Sequence, residues 1–419
     1  MKTHLFFTLN NFTKDGGDTI RMKGIVNALA EAGQSVVLFS NAVETHYDFH
    51  ISIKHIFLGV EISKKQKIIF QVSIALLPSI VTKFIFKDYL TVLGIIFKKE
   101  KFRAGMPIIF FEYLDNSMAL FLNKQKIIGN YINDTHGSAR LDFLHKHSNT
   151  LLEKFKNLSK CMIAIILDRK IYKNSSRVIF LSEAMKEYFE KYYIFIASND
   201  NYIIRDGIGS GPCHQIINKN NVDKYRRSFN ISLEDKVIMF AGTFKDSGGV
   251  FDLLKAFDIL VRKKNTQNIK LLLLGGGEYY EKIKRFTSEN HLEEKVIFAG
   301  RTSYSELRNY QELADVIVCP DKQHPVSELV PHIKYFDSLI SGKVVINGSF
   351  ASIRDINKDE RFSVDFKPSD VNDLSNKIEM VLADLDSFRL AYRFNHQKIC
   401  TEFSYSNSVK VLINDRPIR

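Results

Sequence analysis

A chain of 419 residues is too long for one ordinary hydrophobic core and divides into two domains of roughly 150–200 residues each. Apolar and charged fractions of 45% and 25% are those of a soluble globular protein, and 59 Lys plus Arg against 47 Asp plus Glu leave a net charge of +12, which favours an acidic partner such as nucleotide, nucleic acid or anionic lipid. Four cysteines, Cys161, Cys213, Cys319 and Cys400, stand far apart without CxxC spacing, which argues against a zinc site or disulfide framework and fits a reducing, cytoplasmic setting.

The opening MKTHLFFTLNNF is apolar only briefly, so it reads as a first strand, Leu5 to Leu9, and not as a signal peptide. After the loop NNFTKDGGDT, Met22, Ile25, Val26 and Leu29 put one apolar stripe on a helix closed by Gly33, and Val36 to Phe39 is the next strand. Gly16 and Gly17 let backbone amides approach a ligand at the mouth of this unit, and Arg21 in the first helical turn is placed to hold an anion; a simple tight turn is the plainer reading of the glycine pair. Lys64 to Arg103 is unusually apolar yet bracketed by lysines: Pro78, Lys83, Lys87 and Asp88 cut it too short to span a bilayer, leaving either two core helices or helices lying on an anionic leaflet. Asn130 to Asn133 leads into Asp134, Thr135, His136 and Gly137, a histidine in a loop past a strand, where a structural role is the ordinary one.

Val178 to Leu181 is another strand, Ser182 a helix N-cap, and RDGIGSGP marks a change of texture that puts the domain boundary between about Ile208 and Asp235. The second half repeats the pattern: strand Val237 to Ala241, loop GTFKDSGG, a helix with the stripe Val250, Leu253, Leu254, Phe257 and Leu260, then Leu271 to Leu274 opening onto Gly275, Gly276 and Gly277. Val316 to Val318 is a strand ended by Pro320. Pro331 fits a first helical turn, Gly342 a C-cap, and Lys343 to Ile346 the next strand. Lys334 sits where a phosphate would want it, with Asp337 one turn on for a ribose diol; an exposed Lys334–Asp337 ion pair is the competing reading. Strand alternating with helix in both halves implies an α/β protein of two Rossmann-like, doubly wound parallel sheets facing a cleft: 1–207, 208–390, and a C-terminal helix in 391–419 packing back on the first domain.

In order and spacing these pieces resemble bacterial glycosyltransferases of the GT-B fold, family 4, over nearly the whole chain. The quoted stretches are the first loop with Gly16, Gly17 and Arg21, FLSEAMKEYF, IIRDGI, FAGTFKDSGGVFDLLKAF, LLLLGGGEYYEKI, VIFAGRTSYSELRNYQELADVIVCP, PHIKYFDSLISGKVVI and FSYSNSVKVL. The resemblance implies a retaining transferase that moves a hexose-type sugar from a nucleoside-diphosphate-sugar donor, with no metal and no cofactor, to a hydroxyl acceptor in surface polysaccharide synthesis. By resemblance His136, Lys334 and Glu328 are catalytic, and Gly16, Gly17, Arg21, Thr243, Lys245, Gly248, Gly275, Arg301 and Asp337 bind donor. Two departures stand out: Glu328 lies one residue upstream of its family position, and the phosphate loop carries Thr243 and Ser247 or Gly248 in place of Arg and Lys, so that Lys245 and Lys334 would supply the charge. That atypical loop keeps a non-catalytic accessory subunit open, and a nucleotide-sugar epimerase of the same fold is a third reading. The expected partners are the donor, a lipid-linked or glycan acceptor and an anionic membrane on whose inner face the protein would sit; nucleic acid is not expected, because the basic residues form no recognisable binding module.

Overall fold

The computed structural model describes residues 2–13, 17–43, 49–100, 106–146, 148, 150–196, 199–209, 217–263 and 268–414. The chain forms two compact units, Met1–Gly207 with Tyr405–Arg419, and Ile208–Ser404.

The amino-terminal unit is built on seven parallel strands in the order β3-β2-β1-β4-β5-β6-β7. They are β1 (Thr3–Phe7), β2 (Ser35–Ser40), β3 (Lys54–Phe57), β4 (Ile108–Phe110), β5 (Tyr131–Asp134), β6 (Arg177–Phe180) and β7 (Tyr202–Ile203). Leu5, Phe6 and Phe7 are all enclosed although alternate side chains leave opposite faces, so both faces of this sheet must be covered by helices. Phe6 stacks on Phe111 at 5.4 Å between ring centroids, which locks β1 to the end of β4. The carboxyl-terminal unit has six parallel strands in the order β10-β9-β8-β11-β12-β13, namely β8 (Lys236–Thr243), β9 (Ile269–Gly276), β10 (Val296–Gly300), β11 (Val316–Cys319), β12 (Val344–Gly348) and β13 (Val364–Phe366). In each sheet the order reverses once, between β1 and β4 and between β8 and β11. At such a switch the crossover helices leave on opposite sides, so the strand ends open onto a crevice.

Three local expectations are corrected. The segment expected to hold two helices holds three, Lys64–Leu76, Ser79–Ile85 and Lys87–Lys99, because Pro78 removes a donor between the first two and Ser63 and Gln66 form a capping box at the start. Phe70, Ile74, Leu90, Leu93 and Phe97 anchor them, yet Ile80 and Phe84 stand 74% and 82% exposed. The helix expected to open at Pro331 is Ile333–Leu339, two residues later, with His332 in the extended N-cap position. The chain returns to the first unit at Tyr405 and not near residue 391: helix Asn395–Glu402 stays on the second unit, His396 Nδ1 lying 2.7 Å from the Ile340 carbonyl, whereas the Tyr405 ring lies against helix Gly17–Glu31 at Gly24. Among the described residues no helix is long and apolar enough to cross a membrane.

Candidate functional site

In the amino-terminal unit the switch crevice is lined by the residues that follow β1, β4 and β5. The Leu9 N–H donates to Asp115 Oδ1 at 3.0 Å, and Asn10 Nδ2 donates to Glu112 Oε1 at 3.2 Å, so the two strand ends are tied together. Glu112 adopts φ 57°, a left-handed conformation that is costly for a side chain with a Cβ and recurs at functional sites. Its carboxyl is pushed up to about 7, first by burial and then by a hydrogen bond and charge repulsion from Asp18. Sequence reading passed over Glu112; the one visible signal is an acidic residue directly after a buried strand.

His136 lies beyond β5 with Nε2 at 2.8 Å from Asp134 Oδ2. A carboxylate only accepts, so this bond assigns the proton to Nε2 and leaves Nδ1 as the ring nitrogen available to a ligand. Asp134 is clamped on its other side by Arg21, whose Nε and Nη2 donate to Oδ2 and Oδ1 at 2.9 and 2.8 Å, while Nη1 reaches Asp206 at 3.2 Å. Arg21 is 1% exposed. Burial would raise the Asp134 carboxyl, but the charges of Arg21 and His136 hold it well below the usual range. The expectation that Arg21 holds a ligand anion therefore gives way: its anions are two aspartates of its own unit, and its work is to fix the loop that carries His136. Gly17 opens helix Gly17–Glu31; Gly16 lies outside the described residues.

In the carboxyl-terminal unit the crevice between β8 and β11 is made of closely packed backbone. Gly249 has φ +66°, and a Cβ there would lie 1.7 Å from the Pro320 carbonyl oxygen; at Gly275, φ +144°, it would lie 1.9 Å from the Gly242 oxygen. Only glycine allows strand ends this close, so the backbone of the loop after β8 meets the end of β11 directly. Gly248 sits in the turn before Gly249, Thr243 ends β8, and Thr243, Lys245 and Arg301 are exposed at the rim, the Arg301 Nε over Gly276. Helix Val250–Val261 starts at Gly249 with no side chain capping its first amides. Lys322, a residue the sequence reading missed, arches over the loop: its N–H donates to the Ser247 carbonyl at 3.0 Å and its Nζ lies 2.7 Å from Asp246 Oδ1 and 3.8 Å from Asp252. Tyr279 donates to the same Asp246 oxygen at 2.9 Å. A lysine just past a strand-ending Pro320–Asp321 pair was the available signal.

Lys334 does not pair with Asp337. Its Nζ sits 2.6 Å from Asp321 Oδ1 and 5.5 Å from the Phe240 ring centroid, which brings a cation and the end of β11 together at the crevice. Asp337 instead accepts from Tyr304, and its backbone carbonyl from Gln311 Nε2 at 2.8 Å. Glu328 is turned away from the lysines: Oε2 accepts the Ala351 N–H at 2.6 Å, Oε1 accepts Gln323 Nε2 at 2.6 Å, and Arg354 stands 3.8 Å off. A carboxylate on the first amide of helix Ala351–Arg354 braces that turn, so the contacts Glu328 makes here are local. No cluster of metal-ligating side chains occurs among the described residues.

Comparison with known proteins agrees with this geometry. Residues 221–398, most of the carboxyl-terminal unit, match the family model described as glycosyl transferases group 1. The lipopolysaccharide 1,2-N-acetylglucosaminetransferase of Salmonella typhimurium is 22% identical over 244 residues, 56% of this chain and 60% of that one. The chain spans about three-fifths of the length of the curated relatives it matches. Sucrose-phosphate synthase from Thermosynechococcus elongatus superposes over 99% of this chain and 98% of that chain with a TM-score of 0.72 at 17% identity. Anabaena HepE, solved in complex with UDP and glucose, superposes over 99% and 100% with a TM-score of 0.66 at 13% identity. The fold is thus that of two-domain GT-B glycosyltransferases.

Proposed function

We propose that the chain is a retaining glycosyltransferase of family-4 type that moves a sugar from a nucleoside-diphosphate-sugar to a hydroxyl acceptor during synthesis of a bacterial surface glycan. The observation that carries this reading is the β8–β11 crevice, where a glycine-lined backbone, uncapped helical amides at Gly249 and the cations Lys245, Lys322 and Lys334 converge on one strand-end opening. Breaking the sugar–diphosphate bond places negative charge on the leaving phosphate, and fixed cations and amides stabilise that charge in the transition state. Asp321 and Asp246 hold Lys334 and Lys322 in place until diphosphate takes over their bonds. Asp337 would hold the ribose, His136 the donor sugar and Glu112 an acceptor hydroxyl. HepE, bound to UDP and glucose, and the lipopolysaccharide transferase support the donor class and the glycan setting. A thermal-shift screen against nucleoside diphosphates tests the reading and identifies the base, since a ligand of the folded state raises the melting point; no shift with any of them would leave the non-catalytic reading standing.

Lys334→Ala is expected to weaken nucleoside diphosphate binding about tenfold to a hundredfold, the loss of one charge-assisted bond, and to lower the unfolding midpoint as well, because buried Asp321 loses its cation. Calorimetry on both proteins decides it. Equal affinities would return Lys334 to the role of partner for Asp321.

We infer also that the protein works peripherally on an anionic cytoplasmic membrane face. Helices Lys64–Leu76, Ser79–Ile85 and Lys87–Lys99 expose Ile68, Ile69, Ile80, Val81, Phe84, Ile85 and Ile95 together with Lys64, Lys65, Lys67, Lys83, Lys87, Lys98 and Lys99. Lys101 and Arg103 lie outside the described residues. Apolar side chains among lysines are the combination that inserts into a headgroup region, each basic residue adding about 1 kcal/mol near an anionic surface. In sedimentation with vesicles, binding should require anionic lipid, weaken with salt, and fall when Lys98 and Lys99 become Glu or Phe84 becomes Ser. Equal recovery in the supernatant with neutral and anionic vesicles at low salt would exclude it.

A further inference from the structure

Arg140 is an arginine that two tyrosines hold and that forms no ion pair with a carboxylate among the described residues. It lies in the first turn of helix Ala139–Leu144, four positions beyond His136, and that helix is started by Ser138, which accepts the Leu141 N–H. The guanidinium carbon sits 4.1 Å from the centroid of the Tyr192 ring, and Nη1 donates to the Tyr188 hydroxyl at 2.7 Å. Both tyrosines belong to helix Glu183–Tyr192, and their rings lie 4.7 Å apart, so the pair is itself a rigid wall. Among the described residues no carboxylate forms an ion pair with Arg140. Asp168, on which the charge of Arg140 also acts, is buried and accepts from Tyr193 at 3.0 Å, and burial pushes its carboxyl up to about 7. Five N–H groups radiate from a guanidinium, and stacking uses only its face. Tyr188 takes one N–H and Tyr192 is a second hydrogen-bond partner, so three of the five N–H groups remain for phosphate oxygens.

Helix Ala139–Leu144 packs against helix Leu151–Asn174, with Lys160 Nζ 5.5 Å from the Phe143 ring centroid. There Leu151, Leu152, Phe155, Leu158 and Met162 form one stripe along the helix, all exposed and Leu151 87% so, beside the exposed Lys154 and Lys156. An oriented cation on one helix and an apolar stripe with lysines on the helix packed against it complement a single kind of molecule, an amphiphile with a phosphate next to its hydrocarbon.

We propose that Arg140, held by Tyr188 and Tyr192, binds the phosphate of a lipid-linked acceptor whose hydrocarbon lies over the stripe from Leu151 to Met162. This rests on the transferase reading for the word acceptor, but the binding site itself does not, and the two fail separately. The test is calorimetry on the full chain with octyl phosphate, octyl glucoside and inorganic phosphate, the amphiphiles kept below their micelle concentrations. Octyl phosphate should bind at least about tenfold more tightly than octyl glucoside, which lacks the charge, and than inorganic phosphate, which lacks the chain. Arg140→Gln should lower octyl phosphate affinity about tenfold to a hundredfold, Arg140→Lys should recover only part of it, and Phe155→Ser should weaken octyl phosphate but not inorganic phosphate. Nucleoside diphosphate affinity, read on the same proteins, should be unchanged by all three. Wild-type affinity of Arg140→Gln for octyl phosphate, or octyl glucoside binding as tightly as octyl phosphate, would overturn the assignment. Failure of wild-type protein to bind any nucleoside diphosphate would sink the transferase reading and leave the phosphate site in place.

Discussion

Arg21→Met is expected to destabilise the amino-terminal unit by about 3–5 kcal/mol at neutral pH, an effect of roughly 10 °C in melting temperature for a unit of this size. Methionine fills much of the volume but leaves Asp134 and Asp206, both buried, without their shared cation. The pH dependence carries the signature of an ion pair. In the wild-type protein the Asp134 carboxyl is held below its unfolded value, so its contribution is present above the ordinary carboxylate range and is lost only as pH falls through and below it. Burial already raises the Asp206 carboxyl with Arg21 in place, and once Arg21 is gone it raises both aspartates further; a raised carboxyl stabilises at low pH and costs stability as pH rises through its folded value. The variant should therefore gain stability relative to wild type as pH is lowered from 7.5 towards about 5. Urea unfolding at both pH values reads this directly. A deficit below about 1 kcal/mol at pH 7.5, or one that does not narrow at pH 5, would mean that the Asp134–Arg21–Asp206 cluster is not what holds this loop.

That cluster also shows where sequence reading stops. Short continuous apolar runs bounded by turn residues, such as Leu5–Phe7 and Leu271–Leu274, read as strands covered on both faces, and their alternation with amphipathic helices points to a doubly wound sheet. The glycines after β8 and β9 were legible for the same reason, since close backbone approach leaves no alternative residue. Side-chain partnership is a different matter. Arg21 meets Asp134 and Asp206 across 113 and 185 positions of chain, and no local pattern distinguishes an arginine facing inward to them from one facing a ligand. For Lys334 the competing reading, an ion pair with Asp337 one helical turn on, fails because the strand order brings Asp321 within reach instead. Lys322 and Arg140 escaped notice because their interest lies in what surrounds them: a loop arched over in one case, a tyrosine wall without a counter-ion in the other.

His136→Ala is expected to reduce turnover about a hundredfold to a thousandfold while changing donor affinity by no more than roughly threefold. The ring is positioned for this in advance. Asp134 fixes Nε2 at 2.8 Å, Asp134 is fixed by both donors of the Arg21 fork, and Phe111 limits the ring on one side at 6.4 Å between centroids, so Nδ1 has one orientation to offer. A group held this rigidly contributes most where charge develops on the sugar, not where the ground state binds, and its loss should appear in kcat with KM nearly constant. Folding should be little affected, because Asp134 keeps its bidentate arginine when the imidazole is removed, a difference of about 1 kcal/mol at most. Donor cleavage is followed as release of nucleoside diphosphate, using the nucleotide-sugar whose base the thermal-shift screen selects, with donor affinity and unfolding midpoints taken on the same preparations. A variant that unfolds more readily yet turns over at the wild-type rate would assign His136 to the loop's structure and remove it from the reaction.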